Sequence, residues 1–512
     1  MRVFASFGRA PKCQERMIGE MKVLLLYPEF PDTFWSFKHA LKFVRKRAST
    51  PPLGLLTVAA MLPKDWEFRL VDLNVGVLGE EDLAWADYAF VSAMVVQRDA
   101  ARDLIARCKR AGLTVVAGGP LFTMESEDFP EVDHFVLNEA ELTLAPFLAD
   151  LRQGSPQRVY STTDYADVSQ TPVPLWHLMD LKRYASMAVQ FSRGCPFNCD
   201  FCNVTALLGH RPRVKSASQM LKELDGLYQL GWRGRIFFVD DNLIGNKRIL
   251  KEELLPALIE WRKGKTGMPF NTEVSINLSD DGELMRQMVQ AGFDTVFVGI
   301  ETPNDDSLAE CGKKQNRHRD LIEDVKRMQR AGLEVQGGFI VGFDNDSPAI
   351  FRRQIEFIQQ SGIVTAMVGL LQAVPGTKLY ERLAGEGRLS GASSGDNLGA
   401  TTNIVPRMPL EVLYDGYRGV LSHLYSPEHY YARVKTFLRE YHPPKITAPI
   451  DTQQVLALFR SVFRLGIMGP ERSYYWRLMG WTLVRKPRLF PLMITLAIYG
   501  YHFRQVAELH VG

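Results

Sequence analysis

Residues 187–202 read MAVQFSRGCPFNCDFC. A short apolar strand runs into a Gly turn, and three cysteines, Cys195, Cys199 and Cys202, follow within eight residues. Thiolates are soft donors that favour zinc or iron–sulfur clusters. A structural zinc site takes four protein ligands, often as C-x2-C pairs. The C-x3-C-x2-C run here lacks a second pair, and His210 is the only nearby candidate for a fourth ligand. Three thiolates suit a [4Fe–4S] cluster with one iron left open to a substrate or cofactor. Zinc stays as the alternative.

The chain has 512 residues, enough for roughly three domains. Apolar residues make up 46% and charged residues 23%, ordinary for a globular enzyme. A formal net charge of +3 gives no reason to expect nucleic acid as a partner. Cys13, Cys108 and Cys311 are scattered and suggest no disulfide framework, so a reducing cytosol is the expected compartment. The opening MRVFASFGRAPKCQERMIGE has no apolar core of the secretory kind and reads as an extension over 1–20.

From Met21 to residue 150 short apolar strands alternate with helices. KVLLLY (22–27), FRLVDL (68–73), YAFVSAM (88–94), TVVAGG (114–119) and DHFVLNEAE (133–141) supply the strands. LGLLTVAAML (53–62) and the amphipathic RDAARDLIARCKRAG (98–112) supply helices. This alternation predicts an α/β, Rossmann-like, doubly wound parallel sheet, whose ligands bind beyond the carboxyl ends of the strands. Ser92, Met94, Gly118, Gly119, Asn138 and Glu139 occupy those ends and are the cofactor-binding candidates. No G-x-G-x-x-G is present, so a dinucleotide is disfavoured.

Residues 151–185 are Pro-rich and irregular and read as a linker. A second run of strand–helix units covers 186–384. Its strands are RIFFVDD (235–241), FNTEVSIN (270–277), DTVFVGIE (294–301), EVQGGFIVGF (334–343) and TAMVGLLQAVPGT (365–377). Ser216 with Gln219 forms a capping box ahead of the first helix. Six units after the cysteine loop are expected, forming a partial (β/α)6 barrel, with chemistry gathered at the C-terminal strand ends. Asp240, Asp241 and Glu301 are the catalytic candidates there, with Asp240 and Asp241 equally suited to binding loop backbone and Glu301 to an ion pair.

The cysteine spacing, with Phe201 just before the last cysteine, resembles the radical S-adenosylmethionine (radical SAM) enzymes. Gly299-Ile300-Glu301 and PGTKLY (375–380) resemble further segments of that family. The resemblance implies a [4Fe–4S] cluster on Cys195, Cys199 and Cys202 and S-adenosylmethionine on its open iron. Phe201, Gly299 and Glu301 would lie near S-adenosylmethionine, Phe201 being equally readable as a core aromatic, and Gln372 is a further cofactor-binding candidate from its place at a strand end. The order of PPLGLL, VDLN, Ser92-Ala93-Met94, GGP and NEAE resembles the cobalamin-binding domain found ahead of many such cores. The D-x-H-x-x-G motif that would place a His on the cobalt is absent, since neither Asp133-His134 nor Asp72 has that spacing.

The last region, 385–512, opens with a Gly- and Ser-rich loop (385–399) and then turns helical. Its layout resembles the extension of radical SAM proteins that modify hopanoid lipids. Taken together, the resemblance implies cobalamin-dependent C-methylation of an unactivated carbon on an apolar, lipid- or pigment-like substrate, with an electron donor such as flavodoxin or ferredoxin. Radical cyclisation or carbon–carbon coupling is the alternative chemistry, and a non-catalytic cobalamin or cluster sensor the alternative class. Residues 453–504 hold eight Lys or Arg and one acidic residue, beside Tyr474, Tyr475, Trp476 and Trp481. LFPLMITLAIYGY (489–501) is too short to span a bilayer. The segment therefore reads as a helix pair, either resting on the inner membrane face or packed on the barrel.

Overall fold

Val23–Leu26 of Lys22–Tyr27 (β1) are apolar on both faces and buried, as an interior strand of a parallel sheet must be. The computed structural model describes residues 21–396, 398–399, 401–443 and 452–511, so the expected 1–20 extension lies outside the described residues. Around β1 stand Glu67–Asp72 (β2), Tyr88–Ser92 (β3), Thr114–Gly118 (β4), His134–Val136 (β5) and Val159–Tyr160 (β6). Their order is β2-β1-β3-β4-β5-β6, all parallel. The expected strand at 133–141 is thus only three residues long. β6 falls inside the stretch expected to be linker, where it completes the sheet by pairing with β5.

The second sheet is built from Ser186–Val189 (β7), Arg235–Phe238 (β10), Phe270–Val274 (β11), Phe293–Glu301 (β12), Glu334–Val341 (β13) and Ala366–Leu370 (β14). Ser192–Arg193 (β8) and Arg213–Val214 (β9) form a separate antiparallel ribbon. The six parallel strands run in the order β14-β13-β12-β11-β10-β7. β7 precedes the cysteine loop, so five barrel strands follow it rather than the expected six. The Ser216–Gln219 capping box forms as expected.

Alternation along the barrel strands shows which face is filled. Val274, Val298, Val335 and Val368 are buried against the helices. The opposite face carries Glu273, Phe297, Gln336 and Met367, which are only half-buried. A barrel interior of this kind is normally packed with side chains. Here it is left partly open.

The open side of the barrel meets a segment between β1 and β2 with no strong sequence signal. Trp35 donates its indole N–H to Met367 Sδ at 3.1 Å and packs edge-on against Phe297 at 5.4 Å. Its neighbour Phe34 stacks on Phe503 with ring centroids 4.2 Å apart, and His502 Nε2 lies 2.9 Å from the Phe34 carbonyl.

Phe503 belongs to the helix Phe490–Val511, which corrects the reading of the C-terminal segment. The expected helix pair is three elements: Thr452–Ser461 continuing as a π-helical Val462–Met468, then Arg472–Arg485, then Phe490–Val511. In the apolar run 489–501, Met493, Leu496 and Ala497 are buried in the main core. That run is interior, and no described helix is long and apolar enough to cross a membrane.

Replacing Phe503 with Ala removes a fully buried ring from the joint of all three regions. The expected cost is about 3–5 kcal/mol, read as a lower urea midpoint for the unfolding transition.

Candidate active site

Gly194 turns the chain out of β8 into the cysteine loop. Its φ is 95°, and a Cβ there would lie 2.9 Å from the carbonyls of both Gly209 and Arg211. Only glycine fits so tight a left-handed turn. The ribbon of β8 and β9 closes the base of the loop, pairing Arg193 with Arg213. From there Cys195, Cys199 and Cys202 project as free, half-buried thiols.

Asp240, at the exit of β10, is fully buried. It accepts from Phe191 N at 3.1 Å, from Ser192 Oγ at 2.6 Å and from Ser192 N. These bonds fix the approach to the cysteine loop. Asp240 thus anchors loop backbone, the second of the two readings open to it from the sequence. Burial pushes its carboxyl up to about 7 and that of Asp241 to about 6. Glu273 on β11 is pushed furthest, to about 8, by burial and then by Asp241 and Asp240.

Glu301 ends β12 with φ 64°, at a register irregularity against β13. A non-glycine residue in this region is strained, and such strain concentrates at functional sites. Its carboxylate accepts from Lys313 Nζ at 2.5 Å. A Cβ on Gly299 would fall 2.7 Å from that Nζ, so glycine makes room for the pair. Lys313 had no motif to mark it in the sequence. It arrives through packing: Asp200 N donates to the Cys311 carbonyl at 3.0 Å, laying segment 311–313 along the cysteine loop. Burial raises the thiol pKa of Cys199, and Lys313 opposes that rise more than any other group. Burial likewise pushes Cys202 up to about 12. Metal binding displaces such protons.

The donor set fits an iron–sulfur cluster. Asn242 beside Cys195, Gln315 beside Cys199 and the positive charge of Lys313 each favour the thiolate form. No three His, Cys, Asp or Glu side chains among the described residues group tightly enough for one metal ion. In a cubane, by contrast, each thiolate serves its own iron. His210, the fourth-ligand candidate for zinc, is exposed.

Other candidates sit elsewhere. Phe201 packs edge-on against Phe343 at 6.4 Å, within a small apolar cluster. Gln372 accepts from Ser393 Oγ at 2.7 Å and donates to Ser394 Oγ at 3.2 Å, tying down the Gly- and Ser-rich loop. Glu139 is not a free cofactor contact. It accepts from Arg193 at 2.8 Å and Arg213 at 2.7 Å, while Glu141 accepts from Arg193 at 2.8 and 3.0 Å. Burial opposes the Glu141 charge, but Arg193 holds its carboxyl below the usual range.

Ser92, Met94, Gly118, Gly119 and Asn138 do share the C-terminal edge of the first sheet. Gly119 has φ 91°, and a Cβ there would lie 2.5 Å from Ser92 Oγ. Asn138 has φ 62°, and Met94 is 44% exposed. Gly118, Gly119 and Ser92 keep this edge free of bulky side chains, which suits a flat macrocycle, with Met94 standing exposed beside it. His134 begins β5 at the opposite edge, 2.7 Å from the Gln157 carbonyl.

The C-terminal edges of the two sheets meet. Glu139 and Glu141 bind the ribbon under the cysteine loop, and Asn203 Nδ2 lies 3.6 Å from Met124 Sδ. Arg98 donates to the Ser393 carbonyl at 3.0 Å, joining the first domain to the loop that Gln372 holds at the exit of β14.

Known proteins share this arrangement. Residues 189–358 match the Radical SAM superfamily, and residues 377–511 match a domain of unknown function, DUF4070. An uncharacterized methyltransferase of Synechocystis is 40% identical, over 96% of this chain and 92% of its own length. The hopanoid C-2 methylase of Rhodopseudomonas palustris is 32% identical, over 91% and 90%. The solved cobalamin-dependent S-adenosylmethionine radical enzyme OxsB, with aqua-cobalamin and S-adenosylmethionine bound, superposes with a TM-score of 0.61 at 14% identity, over 95% of this chain and 84% of its own. That last likeness shows a common fold.

Glu273 yields a pH test on the apoprotein. The folded state keeps its proton up to about pH 8, whereas an unfolded Glu releases it near pH 4. Between those values the folded state binds more protons, so stability falls as pH rises. In Glu273→Gln this contribution to the slope disappears. Urea melts from pH 5 to 8 should show the variant gaining on the wild type as pH rises, with no further gain above about pH 9.

Proposed function

The chain belongs to the radical SAM superfamily, in a methyltransferase lineage that includes hopanoid C-2 methylase, and on that premise we propose that it performs cobalamin-dependent C-methylation of an unactivated carbon on an apolar substrate. The observation that carries this reading is the meeting of two edges. The cysteine loop at the mouth of a half-open barrel faces the glycine-lined edge of the first sheet, with Glu139 and Glu141 clamping one to the other.

In this reading Cys195, Cys199 and Cys202 hold the [4Fe–4S] cluster, and the 92–94, 118–119 and 138 loops hold cobalamin with no protein His on the metal. When bound, the cluster supplies the electron that cleaves S-adenosylmethionine to a 5'-deoxyadenosyl radical, and cobalamin carries the methyl group that the substrate carbon receives.

The chain's own residues set the geometry. Lys313 stabilises negative charge beside the thiolates and orients the Glu301 carboxylate, which is then placed to accept hydrogen bonds from S-adenosylmethionine. Asp240 keeps the cysteine loop rigid. Phe297, Met367 and Trp35 give the barrel interior an apolar wall suited to a lipid- or pigment-like substrate. An apolar substrate of this kind is met at a membrane, and residues 453–504 are the segment proposed to reach one, on its cytoplasmic face. An external one-electron donor of the flavodoxin or ferredoxin type completes the partner set.

Anaerobically reconstituted protein is expected to hold about four irons per chain and to release 5'-deoxyadenosine. Labelled methyl should pass from S-adenosylmethionine into an apolar fraction of cell extract. Cys195→Ala, Cys199→Ala and Cys202→Ala should each abolish the release. Protein that retains added cobalamin should show, in its cob(II)alamin resonance spectrum, no nitrogen splitting from the protein. Failure to retain cobalamin, or deoxyadenosine without methyl transfer, would count against methylation.

A further inference from the structure

The C-terminal helices carry apolar surface that the core does not use. Val455, Phe459, Phe463 and Ile467 recur every four residues, through Thr452–Ser461 and the π-helical Val462–Met468, and all are exposed. Phe459 and Phe463 are 65% and 58% exposed, well beyond what scattered surface residues require. On Arg472–Arg485, Trp476, Leu483 and Val484 lie at i, i+7 and i+8, one helix face, and Val484 is 79% exposed. Trp476 joins the two stripes by donating its indole N–H to the Gly466 carbonyl at 2.8 Å.

Charge follows the same surface. Glu471, the one acidic residue of 453–504, is 1% exposed and accepts from Arg504 at 2.7 Å. With that pair neutralised, the segment's seven other charges, eight basic residues less Arg504, are all positive. Arg464, Arg472, Arg477 and Arg485 are exposed beside the apolar stripes. A groove of about 560 Å³ continues the patch between Phe459, Phe463 and Arg464 on one side and His39, Lys42 and Phe43 on the other. Of the run 489–501 only Tyr501 lines this groove, where its hydroxyl accepts from Arg464 at 2.9 Å, while Met493, Ile494, Leu496, Ala497 and Ile498 face inward.

We propose that this face, the stripe from Val455 to Ile467 and the face of Trp476, Leu483 and Val484, docks on an anionic lipid bilayer. Exposed aromatic and aliphatic side chains enter the interfacial layer while the flanking arginines meet lipid phosphates. A protein partner would need matched acidic residues, whereas a bilayer offers apolar depth and diffuse negative charge together. The proposal deepens the reading of an apolar substrate and rests on it for its purpose, but not for its test.

Flotation of the full chain with vesicles tests it without turnover. Vesicles of phosphatidylcholine with a quarter phosphatidylglycerol should bind at least tenfold more protein than pure phosphatidylcholine. Binding should fall severalfold between 0.05 and about 0.5 M salt, as screening shortens to a few Å. The double variant Phe459→Ser, Phe463→Ser should lose at least tenfold while keeping the wild-type melting curve, because both rings are exposed. It should also keep methylation of substrate presented in detergent micelles, which separates failure of docking from failure of the proposed reaction. Equal binding by variant and wild type would overturn the proposal. So would no vesicle binding combined with a concentration-dependent dimer that the same variant abolishes, since the face would then be a contact between copies.

Discussion

Glu139, Glu141, Arg193 and Arg213 form the contact on which the arrangement of the two sheets depends. Glu139 accepts from both arginines, and those arginines pair across the ribbon that closes the cysteine loop. The side chains are nearly buried, between 4% and 17% exposed. Buried charges are expensive to desolvate, and removing one partner costs about 3–5 kcal/mol because the other is stranded. Such a network therefore tolerates few alternative geometries. It fixes the distance between the edge of the first sheet and the loop that carries the thiols.

The barrel side of the site is held by similar means at smaller scale. Asp240 gathers three donors from residues 191–192, so the loop leaves β7 in one direction. Gly299, the strained Glu301 and Lys313 form one unit: without a side chain at 299 the ammonium reaches the carboxylate. A left-handed residue at a strand end persists only where surrounding contacts overdetermine it. The ion pair and the Asn316 amide, which donates to the Gly299 and Ile300 carbonyls at 3.0 Å each, provide them.

The helices after residue 400 complete the barrel's open side. Tyr425 donates to the Ala366 carbonyl at 2.5 Å and Tyr430 to the Leu496 carbonyl at 2.7 Å, linking barrel strand, helix and terminal helix. Phe34 and Trp35 enter the same joint from the first domain. The three regions share one core, in which Phe34, Met187, Phe339, Tyr417 and Phe503 all belong to a single buried cluster. A partial barrel exposes apolar edges that need such a cover.

The sequence by itself determined the elements whose signal is local. KVLLLY and the other apolar runs marked where each strand begins to within a residue, though several overran its end, the capping box at Ser216 marked its helix, and the cysteine spacing marked the loop. Those features depend on periodicity and on short-range hydrogen bonds, which neighbouring residues dictate. What tertiary structure decided was everything set by partners far along the chain. Val159-Tyr160 is too short to read as a strand until β5 stands beside it. The run 489–501 has the same composition whether it lies on lipid or in a core, and contacts far along the chain, Phe37 against Tyr499 and Tyr430 on the Leu496 carbonyl, place it inside. Asp240 and Glu139 stand at strand ends where the sequence allows more than one role, and the structure pairs them with donors 48 and 54 residues away. Lys313 had no sequence signal at all, because its position beside the thiols comes from a strand bulge and a glycine that packing, not periodicity, brought together.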